Sequence, residues 1–204
     1  MLRRTSLRLL GLLVVAASLL TACGQSEESA QNAVAVGGGG TFEFHSPGGE
    51  TEIFYEPEDR QPLPDFSGED LMEEGKTTSI SDFDGQIVVL NAWGQWCAPC
   101  RAEVDDLQAA HAELQASGTG TVLGINVRDY QREAAQDFVT DNGVSYPSIY
   151  DPPFRTAVAL GGVPSSVIPT TVILDKQHRP AAVFLREVTA DDILEVTRRV
   201  EQEG

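Results

Sequence analysis

Hydrophobic positions along the chain fall into blocks with different periods. Residues 9–20 are apolar almost without a break, behind a basic start at Arg3, Arg4 and Arg8. After Cys23, "GQSEESAQNAVAVGGGG" is small, polar and glycine-rich, so it predicts a flexible tether to about residue 40. "TFEFH" and "EIFY" alternate apolar and polar positions around the turn "SPGGE", a pattern that predicts an N-terminal β-hairpin. "PLPDFSGEDLMEEGKTTSISDFDGQ" has no clear period and is read as irregular. "IVVLNAW" (87–93) is a continuous apolar run rich in β-branched residues, as expected of a strand buried on both faces. Val104, Leu107, Ala110 and Leu114 then recur at helical spacing through "CRAEVDDLQAAHAELQAS". "TVLGINV" (121–127) predicts a second buried strand, and "REAAQDFVTDNG" a helix stopped by Gly143. A stretch rich in proline and glycine leads to strand "TTVILD" (170–175), turn "KQHR" and strand "PAAVFL". "TADDILEVTRRVEQE" closes the chain as an amphipathic helix with Thr189 at its N-cap.

Strands separated by helices and then joined by a hairpin predict an α/β sheet covered on both faces. The basic start and apolar run of residues 1–22 have the layout of a secretory signal peptide. A single spanning helix would share those features. The end of the segment decides between them, because Leu20-Thr21-Ala22-Cys23 resembles the bacterial lipobox, in which the cysteine is lipidated and becomes the new N-terminus. The expected organisation is a lipoprotein signal peptide at 1–22, a tether at 23–40 and a folded domain at 41–204. The domain is thereby placed on the extracytoplasmic face of the cell membrane, held through lipid on Cys23.

Charge removes one class of function. The 204 residues carry a net charge of −17, and Arg3, Arg4 and Arg8 all lie in the segment expected to be removed. A surface of that sign repels nucleic acid, so no nucleic-acid partner is expected.

With Cys23 assigned to lipid, two cysteines remain, in "NAWGQWCAPCRAE" (91–103). The strand ends near Trp93, which puts Cys97 at the start of the following helix, where unpaired N–H groups and the helix dipole stabilise an anion. A Cys-x-x-Cys in that position has a lowered thiol pKa, and the thiolate is the attacking species. Two intervening residues let Cys100, one turn into the helix and expected to be the more buried, close a disulfide onto Cys97 and release a mixed-disulfide partner. Pro99 suits the first helical turn. A structural disulfide is the rival reading, although so short a loop restrains the unfolded chain little. A zinc site is a second rival, weakened by the lack of another cysteine pair. His45, His111 and His178 read as surface or turn residues. No metal and no cofactor is expected.

These residues together resemble the active-site segment of the thioredoxin superfamily, and most closely its extracytoplasmic thiol–disulfide oxidoreductases of the TlpA/ResA type. "PDF", "SISDFDGQIVVLNAWGQWCAPCRAE" and "IPTTVILD" occur in that family's order and spacing. The resemblance implies a thioredoxin-like fold, a mixed sheet flanked by helices, here with the N-terminal hairpin as an extension. It implies a cis proline at Pro169 facing the cysteines, with Pro164 as the competing candidate, and a substrate contact at Ile168. It also implies a carboxylate at Glu103 that handles the proton of Cys100; a solvated helix carboxylate is the alternative. Asn91 stands where thioredoxins keep a buried acid. Trp96 is either rim packing or a substrate contact.

The function implied is a protein disulfide oxidoreductase, taken as a reductase of disulfides in exported proteins, with apocytochrome c as the substrate class and a membrane thiol as electron donor. A disulfide-forming oxidase would use the same residues. A copper-delivery chaperone would want CxxxC and a downstream histidine, and a peroxidase a threonine where Gly94 stands. A monomer is expected.

Overall fold

The computed structural model describes residues 40–203. The signal peptide at 1–22, lipidation at Cys23 and nearly all of the tether at 23–40 lie outside the described residues.

Among the described residues eight strands form one mixed sheet: β1 (Glu52–Phe54), β2 (Ser67–Asp70), β3 (Thr77–Ser79), β4 (Ile87–Trp93), β5 (Gly120–Asn126), β6 (Ser148–Tyr150), β7 (Thr170–Leu174) and β8 (Pro180–Phe184). Three α-helices accompany them among the described residues: α1 (Ala98–Ser117), α2 (Arg132–Asp141) and α3 (Ala190–Gln202). The strand order is β1-β8-β7-β4-β5-β6-β2-β3. β4, β5 and β6 run parallel, while β7 lies antiparallel on the other side of β4. The thioredoxin-like fold expected from the sequence is therefore the fold observed.

All seven residues of β4 are buried, and their alternation sorts the core. Val88, Leu90 and Ala92 face a cluster closed by Phe42, Tyr55, Leu63, Phe66, Phe154 and Leu160. Ile87 and Val89 face the opposite cluster, with Leu107, Ala110 and Leu114 of α1 and Ile193, Val196 and Val200 of α3. One face of the sheet is thus covered by helices, and the other by the N-terminal segment and the chain around residues 154–163. α1 ends at Gly118, whose φ of 67° is left-handed; its N–H and that of Thr119 reach back to the carbonyls of Gln115 and Leu114. α3 begins with a reciprocal cap in which the Thr189 hydroxyl accepts from Asp192 N–H and the Asp192 carboxylate accepts from Thr189 N–H.

Two expectations need correction. Residues 41–45 form no hairpin with β1. Phe42 N–H goes to the Pro62 carbonyl and Phe44 N–H to the Gly161 carbonyl, while β1 pairs antiparallel with β8. Alternation chose which side chains are buried, and Phe42 does pack edge-on against Tyr55 at 5.4 Å, but alternation does not name a strand's partner. The N-terminal hairpin of this fold lies instead in the segment read as irregular, where β2 and β3 pair antiparallel. Its turn is organised by Asp70, whose carboxylate accepts from Met72 N–H, Glu73 N–H and the Thr78 hydroxyl. Arg132 and Gln136 of α2 hold the hairpin through the Leu71 carbonyl.

Arg60 ties the N-terminal segment to Glu203, the residue just past the end of α3. Its guanidinium, buried to 1% exposure, donates to the Tyr55 carbonyl, makes a two-pronged pair with Glu203 and lies 3.5 Å from Asp175. Arg60→Ala should destabilise the domain by about 3 kcal/mol, the cost of removing one partner from a buried ionic group. Urea unfolding checks this, and a loss under about 1 kcal/mol would mean that Arg179, the other partner of Asp175, suffices.

Candidate active site

β4 delivers the chain to α1 through Gly94, Gln95 and Trp96. Gly94 has no space for a side chain: a Cβ there would sit 2.3 Å from the Trp96 ring nitrogen and 2.9 Å from the Val127 carbonyl oxygen. A threonine of the kind a peroxidase needs at this position would therefore force the turn apart. The turn brings Cys97 to the N-cap of α1, with Pro99 inside the first helical turn. The sulfur of Cys97 accepts from the backbone N–H of Cys100 at 3.2 Å, and the two cysteines are joined as a disulfide, Cα to Cα 5.3 Å. The helix N-terminus thus points its unpaired N–H groups at Cys97. Burial does not separate the pair as expected, since Cys97 is 3% exposed and Cys100 4%. What separates them is position, one at the helix end and one inside it.

The Ile168–Pro169 peptide bond is cis, immediately ahead of β7. It places the Ile168 carbonyl oxygen 3.7 Å from Cys97 Sγ, close enough for a reduced thiol to donate to it. Trp96 is 42% exposed, its indole N–H donating to the Val127 carbonyl, with Arg128 over its ring at 5.8 Å. Trp93 is buried, with its indole N–H on the Ser148 hydroxyl.

Glu103 lies three residues beyond Cys100, on the same buried stripe of α1. It is 2% exposed. One carboxylate oxygen accepts from the Asn91 amide at 2.8 Å and the other from Val188 N–H at 2.9 Å. Burial pushes its pKa up to about 7, partly offset by those two hydrogen bonds. Asn91 reaches Glu103 because odd-numbered β4 residues face α1. Its amide also donates to the Thr171 hydroxyl, and its own carbonyl oxygen is buried without a partner among the described residues. Asn91, Trp93, Cys100 and Tyr146 line one narrow cavity, so the amide that holds Glu103 also borders the inner cysteine.

The structure thus brings Cys97, Cys100, Trp96, Ile168 and Pro169 together and sets Glu103 behind Cys100. Cys23 lies outside the described residues. Of the histidines, His111 departs from its reading as a surface residue: it is buried on α1, and its Nδ1 accepts from Val122 N–H. His178 sits in the β7–β8 turn, beyond the end of β7 opposite Pro169. Among the described residues no group of three or more His, Cys, Asp or Glu side chains could hold a metal ion. Sequence reasoning missed Val188, Thr171, Tyr146, Arg128 and Asp129. The Asp129 carboxylate accepts from Gln95 N–H at 2.9 Å, fixing the turn ahead of Cys97. All are distant in sequence from the cysteines, and all but Thr171, which lies in "IPTTVILD", carry no local motif.

A thioredoxin-like sheet that presents a Cys-x-x-Cys disulfide at a helix N-terminus beside a proline-led strand defines a class, the thiol–disulfide oxidoreductases, and this chain is one of them. It belongs to the AhpC/TSA family, whose model matches residues 60–179. It is 30% identical to the thiol-disulfide oxidoreductase ResA of Geobacillus thermodenitrificans over 130 residues, 64% of this chain and 71% of that protein. It resembles the crystal structure of a secreted thiol-disulfide isomerase from Corynebacterium glutamicum at 69% identity and a TM-score of 0.78, over 80% of this chain and 99% of that one. It also resembles a DsbF homologue from Corynebacterium diphtheriae at 63% identity and a TM-score of 0.75, over 78% of this chain and 99% of that one.

The raised pKa of Glu103 makes a prediction about stability. The folded state holds this proton up to about pH 7, whereas the unfolded chain releases it near 4.5. The folded protein therefore binds more protons in that window, and stability falls as pH rises through it. The full span is about 3 kcal/mol. Glu103→Gln should flatten this slope. Urea unfolding of both proteins from pH 4.5 to 8 measures it, and parallel curves would show that Glu103 does not titrate in that range.

Proposed function

We propose that the protein is a membrane-tethered, extracytoplasmic thiol–disulfide oxidoreductase that reduces disulfides in exported proteins through Cys97 and Cys100. The observation that carries this is the Cys97–Cys100 disulfide capping α1, with Cys100 N–H on the Cys97 sulfur. In the reduced protein the same N–H groups stabilise a thiolate at Cys97. That thiolate attacks a substrate disulfide, forming a mixed disulfide and expelling the second substrate sulfur as a thiolate. Cys100 then loses its proton to Glu103 and attacks Cys97 Sγ, which restores the internal disulfide and releases the substrate in reduced form. Burial raises the Glu103 pKa to about 7, so the carboxylate can both take and return that proton near neutral pH. The substrate's extended chain docks along Ile168, beside Pro169 and under Trp96.

Lipid on Cys23 holds the domain at the membrane, and the glycine-rich stretch up to residue 40 gives it reach. The extracytoplasmic placement is supported by the likeness to the secreted isomerase of C. glutamicum. The substrate class is apocytochrome c, with electrons returned by a membrane thiol donor; this follows the resemblance to the ResA-type proteins. A second reading has an observation in its favour. The secreted thiol-disulfide isomerase matches this chain at 69% identity, against 30% for the ResA of G. thermodenitrificans. In that reading the Cys97–Cys100 disulfide is donated to, or shuffled among, exported proteins.

The reduction potential separates the two. A reductase should equilibrate near the thioredoxin value of about −270 mV, and a disulfide donor nearer about −120 to −180 mV. Cys100→Ser should accumulate a stable mixed disulfide at Cys97, and Cys97→Ser should accumulate none. Trapping through Cys100 in the Cys97→Ser protein would reverse the assignment. Cys23→Ser should release an active domain from the membrane fraction; unchanged membrane retention with no lipid label on the wild type would remove the tether from this account.

A further inference from the structure

The exchange proposed for the cysteine pair asks more of the inner sulfur than of the outer one. Cys97 receives the N–H of Cys100 at the end of α1. Cys100 has given that donor away, and it borders a narrow cavity walled mostly by apolar groups, Val104, Leu107, Phe138, Val139 and Val144. Ionising a thiol against such a wall is costly unless a hydrogen-bond donor reaches it.

The cavity offers a place for one. Asn91 lines it together with Cys100. The Asn91 side chain is fully buried, and its Nδ2 donates to Glu103 Oε1 at 2.8 Å and to the Thr171 hydroxyl at 3.0 Å, two residues outside the cavity's lining. The other end of the amide, Oδ1, is thereby left to the cavity side, and it has no partner among the described residues. Turning the amide over would set Oδ1 against the Glu103 carboxylate, so the oxygen stays where it is. Buried carbonyl oxygens are almost always met by a protein donor or an ordered water. The cavity measures about 10 Å³, close to the least that admits a water, so it has room for one molecule and not for two.

We propose that this cavity binds one water between Asn91 Oδ1 and Cys100 Sγ, and that Asn91 is the positioning residue for the inner cysteine in the resolving step. The inference deepens the reading of Cys97–Cys100 as the redox pair and rests on it. The water donates one O–H to Oδ1 and the other to the sulfur as Cys100 gives up its proton to Glu103. It solvates the thiolate and takes no part in the bond changes: Cys100 Sγ forms the bond to Cys97 Sγ, and the substrate sulfur leaves with the electron pair. Asn91 thus serves both partners of that proton, through Nδ2 to Glu103 and through Oδ1 to the water.

The test uses the full-length reduced protein carrying Cys23→Ser, so that only the pair reacts, and one equivalent of dithiobis-nitrobenzoate. This disulfide releases one coloured thiolate when Cys97 attacks it and a second when Cys100 closes the internal disulfide. Val104→Ile and Val139→Ile each add a methylene to the cavity wall and change neither Asn91 nor Glu103. Both should slow the second phase about tenfold, the worth of one hydrogen bond, and leave the first within about twofold. Both should also move the pH profile of the second phase upward, since a thiolate without its donor ionises less readily. Glu103, reached through Asn91, and Tyr146, which burial keeps neutral, are the other titratable groups beside the cavity, and both stay in place. Asn91→Leu, which removes the oxygen that holds the water, should slow the second phase at least as much. A crystal structure of the wild type should show the water about 3 Å from Asn91 Oδ1. An unchanged second phase with higher stability in urea, as filling a dry void gives, would overturn the inference. Equal slowing of both phases, or Oδ1 unpartnered in the crystal, would overturn it as well. A wild type that releases only one thiolate would overturn the reading of Cys100 as the resolving sulfur, and this inference with it.

Discussion

The contact on which the site depends is the backbone N–H of Cys100 at the sulfur of Cys97. It exists because β4, buried along its whole length, can leave the sheet only at its end, and the chain must then enter α1 within a few residues. Gly94 makes so tight an exit possible, and Pro99 starts the helix without needing a hydrogen-bond partner for its nitrogen. The sulfur therefore occupies the place where a side-chain oxygen usually caps a helix. An anion there is stabilised by the helix N-terminus, which matters in a chain whose net charge of −17 would otherwise oppose a thiolate.

A second constraint runs behind the first. Glu103 sits in the buried stripe of α1, where an apolar residue would pack more cheaply, and its two oxygens are taken by Asn91 and by Val188 at the entrance to α3. Asp106, one turn further along α1, accepts from Ala190 N–H in the same way. Two carboxylates of α1 thus hold the start of α3, and one of them, Glu103, is held by the Asn91 amide that borders the inner cysteine. In the proposed mechanism the Glu103 proton passes to and from Cys100, which would couple the packing of α1 against α3 to the chemistry of that cysteine.

How much of this was legible in the sequence depended on range and on length. β4, β5, β7, β8 and the three helices were visible within a residue or two, because each carries a long apolar run or a clear helical period. The cysteine pair was visible because its chemistry is contained in four consecutive residues. β2, β3 and β6 were not visible, being three or four residues each, with "SGED" and "TTS" held by the Asp70 turn and by Arg132 from α2 rather than by strand propensity. The pairing of Asn91 with Glu103, and those of Asp129 with Gln95 and Arg128 with Ser165, join residues 12 to 37 apart in sequence. The family resemblance implied a carboxylate near Cys100; only the fold shows that it is buried and what holds it.

The central claim is that helix geometry, rather than exposure, makes Cys97 the nucleophile. Titrating the reduced protein by its ultraviolet thiolate absorbance, with Cys97→Ser and Cys100→Ser to assign the two steps, tests this most directly. The account predicts that Cys97 ionises well below the usual cysteine value of about 8.5, at about 7 or lower, with Cys100 above it. A Cys97 that ionises at 8.5 or higher, or a Cys100 that ionises first, would contradict it.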